Sequence, residues 1–152
     1  MDLSLVISKG SVLDEVAQTT SYAGSKMMKD DPGAYDRIFT TEADRSQLER
    51  FWNESCAGVT EALMEFVEAT RNDESGLVLE LHLSASFERS LEEAFRRELF
   101  SYMVSYISGK WFGFTNKPEA GAYLSEAAIL LDGAKRKIYF RRKPRRPKKQ
   151  YS

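Results

Sequence analysis

The 152 residues, 42% apolar and 30% charged, have the length and balance of one globular domain. Roughly 70% of the extended surface can be buried at this size, so folding needs neither disulfides nor a metal. One cysteine and one histidine exclude a disulfide framework, a cysteine-rich or two-histidine zinc site and a recognisable Ser-His-Asp arrangement, and the net charge of −1 conceals two opposed segments.

The alternation of Leu3, Leu5 and Ile7 with Ser4, Val6 and Ser8 predicts a short strand, broken at Lys9-Gly10. Ser11, followed by Asp14 and Glu15, reads as the cap of a first helix over about Val12–Met28. Asp30-Asp31-Pro32-Gly33 stops it. After a connector with Tyr35 and Phe39, Thr41 is expected to cap a long helix over 42–70. Leu48, Phe51, Trp52, Val59, Leu63, Phe66 and Val67 recur there at helical spacing, over about 43 Å. A polar loop, Arg71–Gly76, leads into the clearest strand, 77–87, whose odd positions are nearly all large and apolar. A third helix over about 89–112 carries Leu91, Phe95, Leu99, Tyr102, Met103, Tyr106, Ile107 and Trp111 as an aromatic-rich stripe. Phe114-Thr115-Asn116-Lys117-Pro118 ends it and starts a fourth helix, about 119–140. The sum is a mainly α, four-helix bundle-like domain over 1–140, with a short β-ribbon or single strand and a basic tail over 141–152. A lone strand is marginal. The 77–87 segment must pair with 3–7, lie on the helices or join another chain.

No apolar run approaches the ~20 residues of a membrane span. The amino-terminal residues also lack the basic and apolar regions of a signal peptide. The expectation is an intracellular product, or one that leaves its host without such a signal.

Enzyme chemistry has no foothold in the pattern. His82 lies on the polar face of its strand beside Glu80 and Ser84, without a nucleophile motif or orienting acid, and reads as a surface or interface histidine. Cys56 falls in mid-helix, away from the cationic or helix-start setting that activates a thiol. Asp30, Asp31 and Asp36 lack the register of a calcium loop. Glu92, Glu93 and Glu98 alternate with Arg89, Arg96 and Arg97 as a salt-laced outer face rather than an acid–base pair. No catalytic residue, cofactor, metal or small-molecule substrate is expected.

The informative feature is charge order. Residues 1–134 hold twelve Lys/Arg against all 23 Asp/Glu, net −11; residues 135–152 hold ten Lys/Arg and no acid, net +10. Arg141, Arg142, Lys143, Arg145, Arg146, Lys148 and Lys149 form a Pro-broken polybasic arm. Such an arm can release counterions from nucleic acid or dock on an acidic protein surface, another copy's body included; a solvated tail is the plain alternative.

Several segments together carry a resemblance: Val12-Leu13-Asp14-Glu15-Val16, Tyr35-Asp36-Arg37-Ile38-Phe39, Leu48-Glu49-Arg50-Phe51-Trp52, Lys110-Trp111-Phe112 and Lys137-Ile138-Tyr139-Phe140. Over nearly the whole chain it resembles mostly uncharacterised proteins encoded among structural genes of phages and prophages of gut bacteria. In size, helicity and basic extension it is also similar to head–tail connector (neck or adaptor) proteins of tailed phages. This second likeness is architectural. The resemblance implies a virion protein, assembled in the bacterial cytoplasm, that forms a homo-oligomeric ring, twelve-fold in many connectors. The ring would bind the portal and further neck or tail proteins, with DNA passing through and no membrane contact. Trp52, Trp111, Tyr102, Tyr106, Leu79 and Leu81 are then the expected subunit-interface residues. The other reading is a nucleic-acid-binding packaging or accessory factor that uses the arm.

Overall fold

A computed structural model describes residues 1–27 and 44–144, with 22–27 in backbone only. Outside it fall the Asp30–Gly33 stop, Tyr35, Phe39, the Thr41 cap and the distal cations Arg145, Arg146, Lys148 and Lys149. The described order is β1 (Asp2–Ser8), α1 (Lys9–Met27), α2 (Arg45–Ala62), β2 (Val67–Asp73), β3 (Gly76–His82), a 3-10 turn (Arg89–Leu91), α3 (Glu92–Thr115) and α4 (Lys117–Ile138). The fold is mainly α with a small antiparallel sheet, ordered β1-β3-β2.

Period-2 patterning explains the sheet. Leu3, Leu5 and Ile7 of β1 stand opposite Leu81, Leu79 and Leu77 of β3, and all six are buried. Side chains alternate across a strand, so these aliphatic pairs form one face, packed on the helices, and leave Ser4, Val6 and Glu80 on the other. The pairing of 77–82 with 2–8 is therefore within the chain, and His82 ends the strand, earlier than residue 87.

The expected long helix over 42–70 is corrected. It runs only from Arg45 to Ala62, about 27 Å, and the chain reverses through 63–66 into β2. Leu63 and Phe66 still lie at helical spacing from Val59, which is why they read as the same stripe. The N–H of Phe66 instead bonds the Leu63 carbonyl at 2.8 Å, closing the turn. From Val67 onward, backbone pairing with β3 overrides the helix propensity of the preceding residues. Trp52 of α2 is fully buried, and its Nε1 donates to Asn72 Oδ1 of β2 at 2.9 Å. One side chain thus ties the helix to the strand it was expected to continue into.

The start of α1 is also earlier than expected. The helix begins at Lys9, directly after β1, and the Ser8 hydroxyl accepts from the Ser11 N–H at 3.2 Å. Ser8, not Ser11, supplies that acceptor.

Helices α3 and α4 form an antiparallel hairpin joined by the single residue Asn116. Its N–H bonds the Phe112 carbonyl, and its own carbonyl accepts from Glu119 and Ala120. Pro118, which has no N–H to lose, sits in the first turn of α4. Gly109 lets the hairpin close: a Cβ there would lie 2.8 Å from the Leu124 side chain. At the far end Lys137 is ion-paired with Glu98, and Lys135, Arg136 and Lys137 occupy the last turn of α4, where cations oppose the negative helix end. The outer face of α3 carries the expected pairs Glu92–Arg96 and Glu93–Arg97, but Glu98, expected on that face too, instead turns toward α4 and Lys137. Both α1 and α2 pack on α3.

The β2–β3 turn is held by one carboxylate. Asp73 Oδ1 accepts from the Ser75 N–H at 2.9 Å, the Ser75 hydroxyl at 2.5 Å and the Gly76 N–H at 3.3 Å, while Oδ2 meets Arg71 Nε at 2.8 Å. The Ser75 hydroxyl foremost, then Arg71, holds the Asp73 carboxyl down at about 2. A carboxyl lowered by folding contributes stability above its ordinary value of 3.8, and that contribution is lost as pH falls through about 2. Urea unfolding should therefore place Asp73→Asn below the native chain at pH 7, with the gap closing between pH 4 and pH 2. A gap constant across that window would contradict this role.

Candidate interaction surface

The basic segment leaves the body from a fixed root. The last turn of α4 ends in Ile138, which is buried. Tyr139 stacks edge-on against Phe66, ring centres 5.1 Å apart, and its hydroxyl donates to Glu65 Oε2 at 2.6 Å. The chain then runs antiparallel to Ser86–Glu88: the Glu88 N–H bonds the Phe140 carbonyl at 3.2 Å, and the Arg142 N–H bonds the Ser86 carbonyl at 2.8 Å. Phe87 and Arg141 face each other in this bridge. Arg141 turns back, its guanidinium donating to the Ile138 carbonyl at 3.1 Å and closing the end of α4. Arg142, Lys143 and Pro144 follow, all exposed. Of the seven cations assigned to the arm, Arg141, Arg142 and Lys143 are thus described, beside a shallow cleft lined by Ser86, Glu88, Phe140 and Pro144.

The residues expected at subunit interfaces are placed differently. Trp52, Trp111, Tyr102, Leu79 and Leu81 are buried in the chain's own core. The spacing that marked them, an apolar stripe on a helix or strand, is the pattern that intrachain packing also requires. Tyr106 is half-buried; its hydroxyl donates to Glu54 Oε2 at 3.0 Å, and burial followed by that bond pushes its pKa up to about 12. The large apolar side chains left exposed among the described residues are others: Val6, Met64, Phe114, Leu124, Ile129, Tyr139 and Phe140. Phe140 and Tyr139 stand at the root of the basic segment. A docking surface there would combine aromatic contact with positive charge, the pairing that the sequence stripe did not single out.

Cys56 is buried, and desolvation pushes its thiol up to about 12. Thiolate chemistry at neutral pH is therefore suppressed. A thiol reagent such as Ellman's should label the chain at the rate of unfolding and reach one thiol per chain in denaturant. Rapid labelling of the native protein would contradict this placement.

A second group lies at the same end of the sheet, where the His82 N–H bonds the carbonyl of Phe66, the residue that Tyr139 packs on. His82 Nδ1 is 2.8 Å from Asp2 Oδ1 and 3.9 Å from Glu68 Oε1, three side chains from three strands. The hydrogen bond from His82 lowers the Asp2 carboxyl below its usual range. The sequence pattern had grouped His82 with Glu80 and Ser84 along its own strand. Asp2 joins it only through the β1–β3 register, and Glu68 only because the segment beside it is strand rather than helix.

No family model, curated protein or solved structure matches the chain. No helix among the described residues is long and apolar enough to cross a membrane.

Proposed function

We propose that the chain is a non-enzymatic phage virion structural protein, a subunit of a head–tail connector ring that docks on the portal or a neighbouring neck protein through its basic C-terminal segment. The observation that carries this reading is the fixed root of that segment. Residues 139–142 are bonded to Glu65, Ser86 and Glu88, so the cations from Arg142 onward leave from a defined point on an acidic body. Exposed Tyr139 and Phe140 beside them add the apolar contact that charge alone lacks. A body of net −11 repels phosphate and suits the wall of a DNA conduit. The acidic docking partner is a protein in this reading, with assembly of the chain into the virion taking place in the host bacterial cytoplasm.

Nucleic-acid binding by the same cations is the second reading, favoured by their number. The two are separated by removing the arm without disturbing the fold. Cutting after Gly133 would delete buried Ala134 and Ile138, so the cut belongs after Pro144, combined with Arg142→Ser and Lys143→Ser. The docking reading expects weak DNA binding from both full-length and cut chains, and loss of co-assembly with the portal only for the cut chain. A tight, salt-dependent DNA shift that the cut abolishes would overturn it in favour of the second.

A further inference from the structure

Register and a bulge bring one nitrogen and two oxygen donors to a single exposed point. Asp2 of β1 and His82 of β3 are directly paired residues. On the other side of the central strand, β2 is irregular between Val67 and Ala69, and the extra residue, Glu68, is turned toward the same imidazole. The three ligand atoms all lie within 4.8 Å of one another. A tetrahedral zinc ion with bonds of about 2.0–2.2 Å needs ligand atoms about 3.3 Å apart, and the observed 2.8 and 3.9 Å bracket that separation.

The backbone beneath the group is fixed. The Met1 amino group donates to the Leu83 carbonyl at 2.9 Å, the Leu83 N–H to the Met1 carbonyl at 2.7 Å, and the His82 N–H to the Phe66 carbonyl at 2.8 Å. All three donors therefore stand on paired strands or their immediate ends, which is the support a metal site requires. The three side chains are also more than half exposed, so an ion can reach them and keep its remaining position open to water.

We propose that Asp2, Glu68 and His82 form a binding site for a divalent zinc-class ion on the open face of the sheet. The imidazole selects the class: magnesium and calcium prefer oxygen donors, six or more for calcium, whereas zinc accepts nitrogen with carboxylate oxygen. The ion would clip the beginning of β1 to the end of β3 and the bulge of β2, and so favour the folded state by mass action. The chain's composition keeps the assignment unambiguous. His82 is its one histidine, and its one cysteine is buried with its thiol held in the protonated form.

The test is isothermal titration of zinc chloride into the full chain, free of any polyhistidine tag, with thermal unfolding followed in parallel and magnesium chloride as the control. The site predicts one zinc per chain and a rise in Tm with zinc, with magnesium doing neither. Loss of an outer partner of a metal ligand already weakens binding about 10–100-fold, so His82→Gln, Asp2→Asn and Glu68→Gln should each weaken zinc at least that much. Being exposed, these three should unfold near the native temperature without metal, which separates loss of the site from loss of the fold. Absence of zinc binding, equal binding of magnesium, or zinc binding unchanged in His82→Gln would each overturn the proposal.

Discussion

Replacing Trp52 with alanine is expected to destabilise the chain by about 3–5 kcal/mol, the range for deleting a fully buried indole. The side chain has no exposed surface, and it lies where α2 meets β2. Its removal opens a void in the core and frees Asn72, whose amide also donates to Asn53 Oδ1 at 2.9 Å. Trp52→Phe separates the two effects: it keeps most of the volume and loses the hydrogen bond, for a cost of about 1 kcal/mol from the bond itself. Urea unfolding followed by far-UV circular dichroism measures both. If the alanine variant matched the native midpoint, Trp52 would not be a core residue, and the subunit-interface expectation would return.

Gly76→Val is the second large effect, and its cause is backbone. Gly76 has φ +146°, a conformation that side chains other than glycine rarely adopt. A Cβ there would stand 2.0 Å from the Ile7 carbonyl oxygen of β1. Neither the dihedral nor the contact can be relieved by moving a flexible side chain. The β2–β3 turn or the last β1 pairing must give way, at a cost on the order of 3 kcal/mol. Hydrogen exchange should show protection lost first at Ile7 and Leu77, with the α3–α4 hairpin protected longer. Uniform loss across the chain would place the turn inside one cooperative unit.

The contrast between these two sites shows what the sequence made legible. Alternation at 3–7 and 77–81 was sufficient to find β1 and β3, because a half-buried strand must repeat every second residue. The break within 114–118 was equally plain, since proline tolerates a first helical turn and little else, although the helix runs on through Thr115 to a link at Asn116 alone. The helix ending at Ala62 was not legible. Leu63, Phe66 and Val67 satisfy helical spacing, and only the backbone partners on β3, ten or more residues away, favour a strand. The same misreading hid Glu68 from His82. Interface and core aromatics were indistinguishable for a related reason: Trp52, Tyr102 and Trp111 show the stripe that either role demands. The charge reversal near residue 134 was readable directly, but the anchoring of Tyr139 to Glu65 and of Arg142 to Ser86 depends on tertiary approach.

That anchoring changes how the basic segment is best examined. Its first cations belong to the folded body, Arg141 capping α4 and Arg142 bridging to Ser86, and a cut after Pro144 keeps both of these contacts. Docking can thus be tested with the described anchor of the segment in place. The cut chain should unfold at the native temperature and still fail to join a partner.

The central claim is most directly tested by electron microscopy of purified phage particles, with the chain localised by a label on its body. A ring of this protein is expected between portal and tail, lost when the chain is cut after Pro144 with Arg142→Ser and Lys143→Ser. Purified particles that lack the protein altogether would contradict it.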